Sequence, residues 1–208
     1  SIDDWAFYQC TNLTLIDLSD CASVSIGTSA FAGCQKLTSA NLTNSTSVGD
    51  FAFYQCSKLA DSINLSGCTS IGNSSFEDCA NISSVALPSK SYTIGNQAFF
   101  NCTSLTGTPN LSHCSSIGYY AFANCTKLTG ALNLSRCSSI EKYAFSNCTG
   151  IRSVAFPTTP YIIEECAFAN CTGITEPIDL SGCTSIGENA FVNCSGITGS
   201  INLSDCTS

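Results

Sequence analysis

The feature that most constrains this chain is a short motif, Ala-Phe-x-x-Cys, that returns at an almost constant interval. Fixed periods of this length are typical of solenoids, in which each unit packs only on its neighbours. We therefore expect residues 1–208 to form one solenoid domain of nine 23-residue units without caps. The motif phenylalanines are separated by 24, 22 and then six times 23 residues: Phe7, Phe31, Phe53, Phe76, Phe99, Phe122, Phe145, Phe168 and Phe191.

A single unit shows how such a chain would build its core. In the unit that begins at Cys125, Leu132 and Leu134 are two residues apart, so both face one side of a strand. Ile140 and Phe145 follow on a return path. Because 23 residues cannot bury these side chains alone, stacked units must pack each one on its equivalent above and below.

The pattern L-x-L-x-x-C-x-x-I-x-x-x-A-F-x-x-C resembles the leucine-rich repeats of the BspA-like class, also called the Treponema pallidum type. The resemblance covers essentially the whole chain. It implies an α/β-type or mostly-β solenoid, a right-handed leucine-rich repeat superhelix. In that fold a parallel β-sheet forms the concave face, and short irregular or helical turns form the convex face.

Two departures from the repeat are visible. Most units carry one extra residue before the central Leu, and Ser75 replaces the motif Ala before Phe76. The units that hold Leu18, Leu87 and Phe156 also have a longer segment after the strand, which suggests a 69-residue super-repeat of three units. This period is explained either by duplication history or by a longer loop that every third turn presents to a regular partner.

The sixteen cysteines fall mainly into two columns. Nine belong to the Ala-Phe-x-x-Cys motif. Six follow the strand and resemble the inward Asn/Cys ladder of leucine-rich repeats, with breaks at Ser45, Lys90 and Thr159: Cys21, Cys68, Cys114, Cys137, Cys183 and Cys206.

Cysteines stacked in one column point the same way, whereas a disulfide needs converging Cβ atoms. We therefore expect buried free thiols; the alternative is a few disulfides, with Cys166 as the odd partner. There is no C-x-x-C pair, and His113 is the only histidine, so zinc is not expected. No other metal and no cofactor is predicted.

Asparagine is unusual in that 14 of the 16 residues open an N-x-S/T triplet. The triplets indicate either turn-forming residues multiplied by repetition or rows of N-glycans on a secreted rod. One group follows the motif Phe and the other lies at the strand. The candidate glycosylation sites are Asn101, Asn124, Asn147, Asn170, Asn193, Asn64, Asn110 and Asn133.

A polar stripe alternates with the buried leucines and should face solvent on the concave sheet. It is either a binding surface for a repetitive ligand, such as a protein or a polysaccharide, or an ordinary solvated face. Ala86 and Ala155 interrupt it. Its residues are Asp17, Asn41, Asn64, Asn110, Asn133, Asp179 and Asn202.

Charge and motif content narrow the functional classes. Seven basic residues and a net charge of −8 argue against nucleic acids and anionic membranes as partners. The sequence contains no run of about 18 apolar residues, so membrane insertion is not predicted. Catalysis needs unlike groups together, whereas repeats align like groups, and the neighbours His113 and Cys114 should point apart. An enzyme is not expected.

Two functions remain. The resemblance implies a surface-exposed or secreted protein that mediates adhesion by binding an extracellular matrix or surface protein. The alternative is a structural subunit, N-glycosylated or not, that assembles head to tail into an extracellular filament, because ordinary half-units at both ends would complete one another. The chain reads as a mature product or as a piece of a longer one, at an extracellular or cell-surface location.

Overall fold

The computed structural model describes residues 1–204 and 206 and shows a parallel β-solenoid. The described residues contain no α-helix, and hence no helix that could cross a membrane. The expected leucine-rich repeat solenoid is confirmed. Its longest sheet has eight parallel strands whose spatial order follows the chain: β2 (Val24–Ile26), β4 (Ser45–Val48), β6 (Ser70–Ile71), β8 (Tyr92–Ile94), β9 (Cys114–Ile117), β11 (Ser139–Ile140), β13 (Tyr161–Ile163) and β14 (Cys183–Ile186).

The remaining strands lie in the leucine-containing segments and form three separate two-stranded sheets. Each pair is parallel. The pairs are β1 (Leu15–Asp17) with β3 (Ser39–Asn41), β5 (Ser62–Asn64) with β7 (Ser84–Ala86), and β10 (Gly130–Asn133) with β12 (Ile151–Ala155).

The continuous sheet therefore runs through the segment that the sequence assigned to the return path. In the units of Leu111 and Leu180 the leucine segment forms only an isolated bridge. There, Gly107 has a φ of +72°, and Pro109 and Pro177 have no N–H for a ladder hydrogen bond. In the long sheet, by contrast, Val or Ile points inward and Ser or Thr outward, a pattern that suits a half-buried strand.

The nine motif phenylalanines form one stack along the interior. Successive ring centroids are 5.1–5.4 Å apart, and the ring planes differ by 17° at most. The rings from Phe31 to Phe168 are fully buried. The division into nine uncapped units stays a prediction, and positions 205, 207 and 208 of the expected last unit lie outside the described residues.

The turn around each motif Phe has a fixed backbone conformation. The Phe N–H donates to the carbonyl oxygen of the residue before Phe in the next unit, at 2.7–2.8 Å, as from Phe122 to Ala144. In each turn, the residue two positions before the Phe and the residue two positions after it have φ between +50° and +74°. They are Trp5, Ser29, Phe51, Ser74, Gln97, Tyr120, Tyr143, Cys166 and Asn189 before it, and Gln9, Gly33, Gln55, Asp78, Asn101, Asn124, Asn147, Asn170 and Asn193 after it.

The longer units leave a structural mark at every third turn. Tyr92 lies opposite Cys114, and Tyr161 lies opposite Cys183, each followed at once by a register shift in the sheet. The two tyrosines thus fill the gaps in the inward cysteine column that the sequence analysis assigned to Lys90 and Thr159. At the first longer unit the place is taken by Val24, opposite Ser45, with the same shift.

Assigning Cys21 to the inward column was therefore wrong. The extra residues between strand and bulge put Cys21 into a surface loop, where it is exposed, and Val24 packs inward instead.

Candidate interaction surfaces

The polar stripe lies on the outer side of the leucine segments, where its residues are exposed except for the half-buried Asn64. In all seven residues a side-chain oxygen accepts a hydrogen bond from the backbone N–H two residues further on, at 2.9–3.3 Å. In Asp17 this bond, from the Ser19 N–H, lowers the pKa of the carboxyl below its ordinary value. The stripe therefore caps turns. In two of them the hydroxyl of the same residue, Thr43 or Ser112, also donates to the Asn side-chain oxygen.

The stripe is not a continuous row of contacts. Asn41 Nδ2 donates to Asp17 Oδ1 at 3.1 Å, and Asp179 pairs with Asn202 through an isolated parallel bridge. Asn64 Nδ2 lies 3.4 Å from Thr43 Oγ1. Ala86 and Ala155 interrupt the row, as the sequence predicted. The binding role of the stripe stays a prediction.

The asparagines after the motif Phe form a different arrangement. Asn101 Nδ2 donates to Asp78 Oδ1 at 2.8 Å, and each following asparagine donates to the one before it at 2.7–2.8 Å. All five have φ near +60°, the left-handed region that Asn tolerates better than most residues. They form an amide ladder: Asn101, Asn124, Asn147, Asn170 and Asn193.

The cysteines of the motif line the interior beside the phenylalanine stack. From Cys34 to Cys194, each Sγ donates to the carbonyl oxygen of the motif Phe in the preceding unit, at 3.0–3.3 Å. These thiols are free, and Cys166 is also a free, buried thiol. Burial raises the pKa of Cys34 to about 11, and it raises the pKa of Cys125 and Cys171 well above the ordinary value.

The neighbours His113 and Cys114 do not form a nucleophile and base. Cys114 is buried, and its Sγ lies 3.2 Å from the carbonyl oxygen of Ser116. The His113 ring hydrogen-bonds Ser112 Oγ through Nδ1 at 3.0 Å. Within residues 1–204 and 206, no group of three metal-ligating side chains comes together.

A surface that sequence reasoning missed lies on the motif turns of three successive units. We call it the aromatic cluster: Phe100, Tyr119, Tyr120 and Tyr143. The Tyr120 and Tyr143 rings are stacked, with centroids 4.6 Å apart, and Tyr119 stands perpendicular to both. Phe100 meets Tyr120 edge-on at 5.6 Å. Tyr119 is 40% exposed and the other three rings are half-buried.

An ion pair borders the aromatic cluster. Lys142 Nζ is 3.0 Å from Glu165 Oε2, and the Tyr143 hydroxyl donates to Glu165 Oε1 at 3.1 Å. These bonds lower the pKa of Glu165, the larger effect coming from Lys142. The cluster thus combines ring surface with charged and hydroxyl groups at its edge. Its signal in the sequence is a concentration of aromatic residues at the turn positions of three successive units. Tyr119 stands where every other unit carries a polar or charged residue.

Comparisons with known proteins agree with this geometry. The model of the BspA-type leucine-rich repeat region matches in six copies, over residues 1–129 and 115–207. A leucine-rich repeat protein from Bacteroides ovatus is 22% identical, with a TM-score of 0.54 over 94% of this chain and 69% of its own. The Treponema pallidum leucine-rich repeat protein is 19% identical, with a TM-score of 0.53 over 95% of this chain and 71% of its own.

No curated protein matches this chain in sequence. At these identities the two structures establish the fold alone. The repeat pattern, however, is matched along nearly the whole sequence by the family model. The chain therefore belongs to the BspA-type leucine-rich repeat family.

Proposed function

We propose that this chain is a non-enzymatic binding protein of the cell surface or extracellular space that mediates adhesion to an extracellular matrix or surface protein. Family membership supports the general role, because leucine-rich repeats typically mediate protein–protein interaction. The observation that carries the proposal is the aromatic cluster, in which four rings from three successive units form one contiguous surface. Tyrosine and tryptophan are enriched among the residues that dominate binding energy at protein interfaces.

The backbone supplies a second argument. Tyr120 and Tyr143 have φ of 54° and 58°, a conformation that costs a side-chain-bearing residue roughly 1–2 kcal/mol. Five other units place a smaller or polar residue at the equivalent position, such as Ser29 or Asn189, and two others place a ring there, Trp5 and Phe51. Two bulky rings are thus kept where smaller residues would fit with less strain, which points to a role outside the fold.

The test is binding of the purified chain to immobilised extracellular matrix proteins. Tyr120→Asn and Tyr143→Asn remove the rings but suit the left-handed backbone, so the fold should be kept. We expect the double variant to lose at least roughly tenfold in affinity, as for a central interface residue. Phe51→Asn is the matched control, because it removes a ring at the equivalent turn position three units away.

A second set of variants tests the polar stripe. Asn110→Asp and Asn133→Asp keep the oxygen that caps the turn and replace the exposed amide group by a second, charged oxygen. If these variants weaken binding while Tyr120→Asn and Tyr143→Asn do not, the stripe is the binding surface and the aromatic cluster is not. If the chain binds none of the proteins offered and no intact cells, the adhesion proposal fails.

A head-to-tail filament is the second candidate function. An open apolar pocket of about 260 Å³ lies at the first turns, lined by residues that include Ile2, Phe7 and Leu13. At the last turns, Ile201 and Leu203 are about half exposed. A second copy would bury both surfaces, as would further units of a longer chain. Sedimentation at increasing concentration tests the filament; a discrete monomer throughout, unchanged by Leu13→Lys, would rule it out.

A further inference from the structure

Three of the strand asparagines and the five asparagines of the amide ladder place their Nδ2 atoms in opposite surroundings, although all open N-x-S/T triplets in the sequence. Nδ2 is the atom that carries an N-linked sugar. Its accessibility and its hydrogen-bond partners in the folded chain therefore separate the two groups.

In Asn110, Asn133 and Asn202 the amide points to solvent. Each side-chain oxygen is occupied by the N–H of a following serine, at 3.1–3.2 Å. All three residues are exposed, and within the described chain no acceptor lies at hydrogen-bond distance from Nδ2. The turn thus fixes the oxygen and leaves both amide hydrogens free.

In the amide ladder the Nδ2 atom is already engaged in a hydrogen bond. Asn124, Asn147 and Asn170 are half-buried, and each Nδ2 donates to the side-chain oxygen of the preceding unit at 2.7–2.8 Å. Each side-chain oxygen in turn accepts from the following unit. Neighbouring turns of a parallel stack are only about 4.8 Å apart, so a sugar ring on one amide would occupy the place of the next.

We propose that Asn110, Asn133 and Asn202 are N-glycan acceptors in a host with a glycosylating secretory pathway, and that the five ladder asparagines carry no glycan in the folded protein. The donor is an oligosaccharide activated as a glycosyl diphosphate. Nδ2 attacks the anomeric carbon, so a C–N bond forms as the C–O bond to diphosphate breaks. The diphosphate leaves with the electron pair, and Nδ2 gives one proton to a base of the transferase.

Transfer to a nascent chain does not change the outcome. A chain that received a sugar on a ladder asparagine cannot close the amide ladder, so it is depleted from the folded material. Asn41 and Asn64 are left out of the proposal. Asn41 Nδ2 already donates to Asp17 Oδ1, and Asn64 is half-buried with its Nδ2 near Thr43 Oγ1. The glycans would shield the leucine segments and leave the motif turns open.

The experiment is expression of the full chain in a eukaryotic secretory host, followed by site-occupancy mass spectrometry of the soluble folded fraction, secreted or extracted. We expect glycan at Asn110, Asn133 and Asn202 and essentially none at the ladder. Ser112→Ala should remove one glycan mass, because it destroys the triplet of Asn110 without touching the asparagine. Thr126→Ala is the matched control, because it destroys the triplet of Asn124. It should remove no glycan mass.

Two results would overturn the proposal. One is folded protein that carries glycan on Asn124, Asn147 or Asn170 at an occupancy comparable with Asn110. The other is folded protein from that host without glycan at any of the three proposed acceptors. Both are read from the same peptides, and neither depends on whether the aromatic cluster binds a partner.

Discussion

Tyr92 and Tyr161 occupy equivalent places 69 residues apart, yet among the described residues only the Tyr92 hydroxyl has a hydrogen-bond partner. The Tyr92 hydroxyl donates to the backbone oxygen of Asn110 at 3.2 Å. The Tyr161 hydroxyl is buried and has no partner within the part of the chain that is described. Each ring fills the position that neighbouring units give to a cysteine. The pair thus isolates the effect of one buried hydrogen bond.

Removing the two hydroxyls should change stability in opposite directions. Tyr161→Phe should raise the free energy of unfolding by about 1 kcal/mol, because an unsatisfied buried hydroxyl is lost. Tyr92→Phe should lower it by about 1 kcal/mol, because a hydrogen bond is lost and the Asn110 carbonyl is left without its donor. Urea unfolding measures both, and a change of the same sign in the two variants would contradict the structure.

The phenylalanine stack predicts a local response to damage. Phe122→Ala should cost about 3–5 kcal/mol, as for a fully buried aromatic residue. Because each turn contacts only its neighbours, the loss should fray two or three units and spare the rest. Native-state hydrogen exchange should therefore rise around residues 99–145 and stay unchanged in distant turns.

The exposed ring of Tyr119 supplies the control for that experiment. Tyr119→Ala removes an aromatic side chain from the same unit but from its surface, so it should leave hydrogen exchange in the core nearly unchanged. Faster exchange along the whole solenoid in Phe122→Ala would mean that the array unfolds as one cooperative block.

The interior of the solenoid could be predicted from sequence because its residues repeat in identity as well as in spacing. Phe122 and Cys125 return in every unit, so stacking follows directly. Val24 and Tyr92 could not be placed in this way. They enter the column after loops of different length, and only the register of the sheet shows that a bulge brings them opposite Ser45 and Cys114.

The surface was less predictable for a related reason. The capping role of Asn110 depends on a side-chain conformation, and the ladder position of Asn124 depends on a positive φ; an N-x-S/T triplet specifies neither. The aromatic cluster joins Phe100, Tyr120 and Tyr143 from three units and two different turn positions. A search for one repeated residue type cannot find such a surface.

Thiol reactivity should follow burial. Cys10 and Cys21 are exposed, whereas Cys125 and Cys148 are fully buried, with Sγ bonded to a carbonyl oxygen. We expect a thiol reagent to label the first two rapidly and the other two only after unfolding, because the thiolate is the reactive form and burial opposes it. Peptide mapping after brief labelling measures this. Equal labelling of Cys10 and Cys125 in native protein would refute the buried column.

The same burial makes the fold sensitive to alkali. An unfolded cysteine ionises near its ordinary value of 9.0, whereas in the folded chain burial raises the pKa of Cys137 to about 11. Between these values the unfolded state binds fewer protons, so stability is complete below pH 9 and falls as the pH rises towards 11. Urea midpoints across this range should show the decline. Cys137→Ala should make it shallower, whereas Cys21→Ala, at an exposed site, should not.

Two properties of the amide ladder affect stability, its side-chain hydrogen bonds and its left-handed backbone, and substitutions at Asn147 can separate them. Asn147 donates to Asn124, accepts from Asn170 and has a φ of 63°. Asn147→Ala loses both hydrogen bonds and keeps the cost of a left-handed alanine. Asn147→Gly loses the same bonds without that cost, as Gly33 does naturally at the equivalent position with a φ of 74°.

Both variants should be less stable than the parent, since each amide bond contributes about 1 kcal/mol. Alanine should be the worse of the two by roughly 1 kcal/mol, the difference expected for a left-handed residue with a Cβ. Urea unfolding of the pair gives this difference directly, because the lost hydrogen bonds cancel in the comparison. Equal stabilities would mean that the turn relaxes out of the left-handed region once the ladder is broken, so that the ladder itself holds the backbone there.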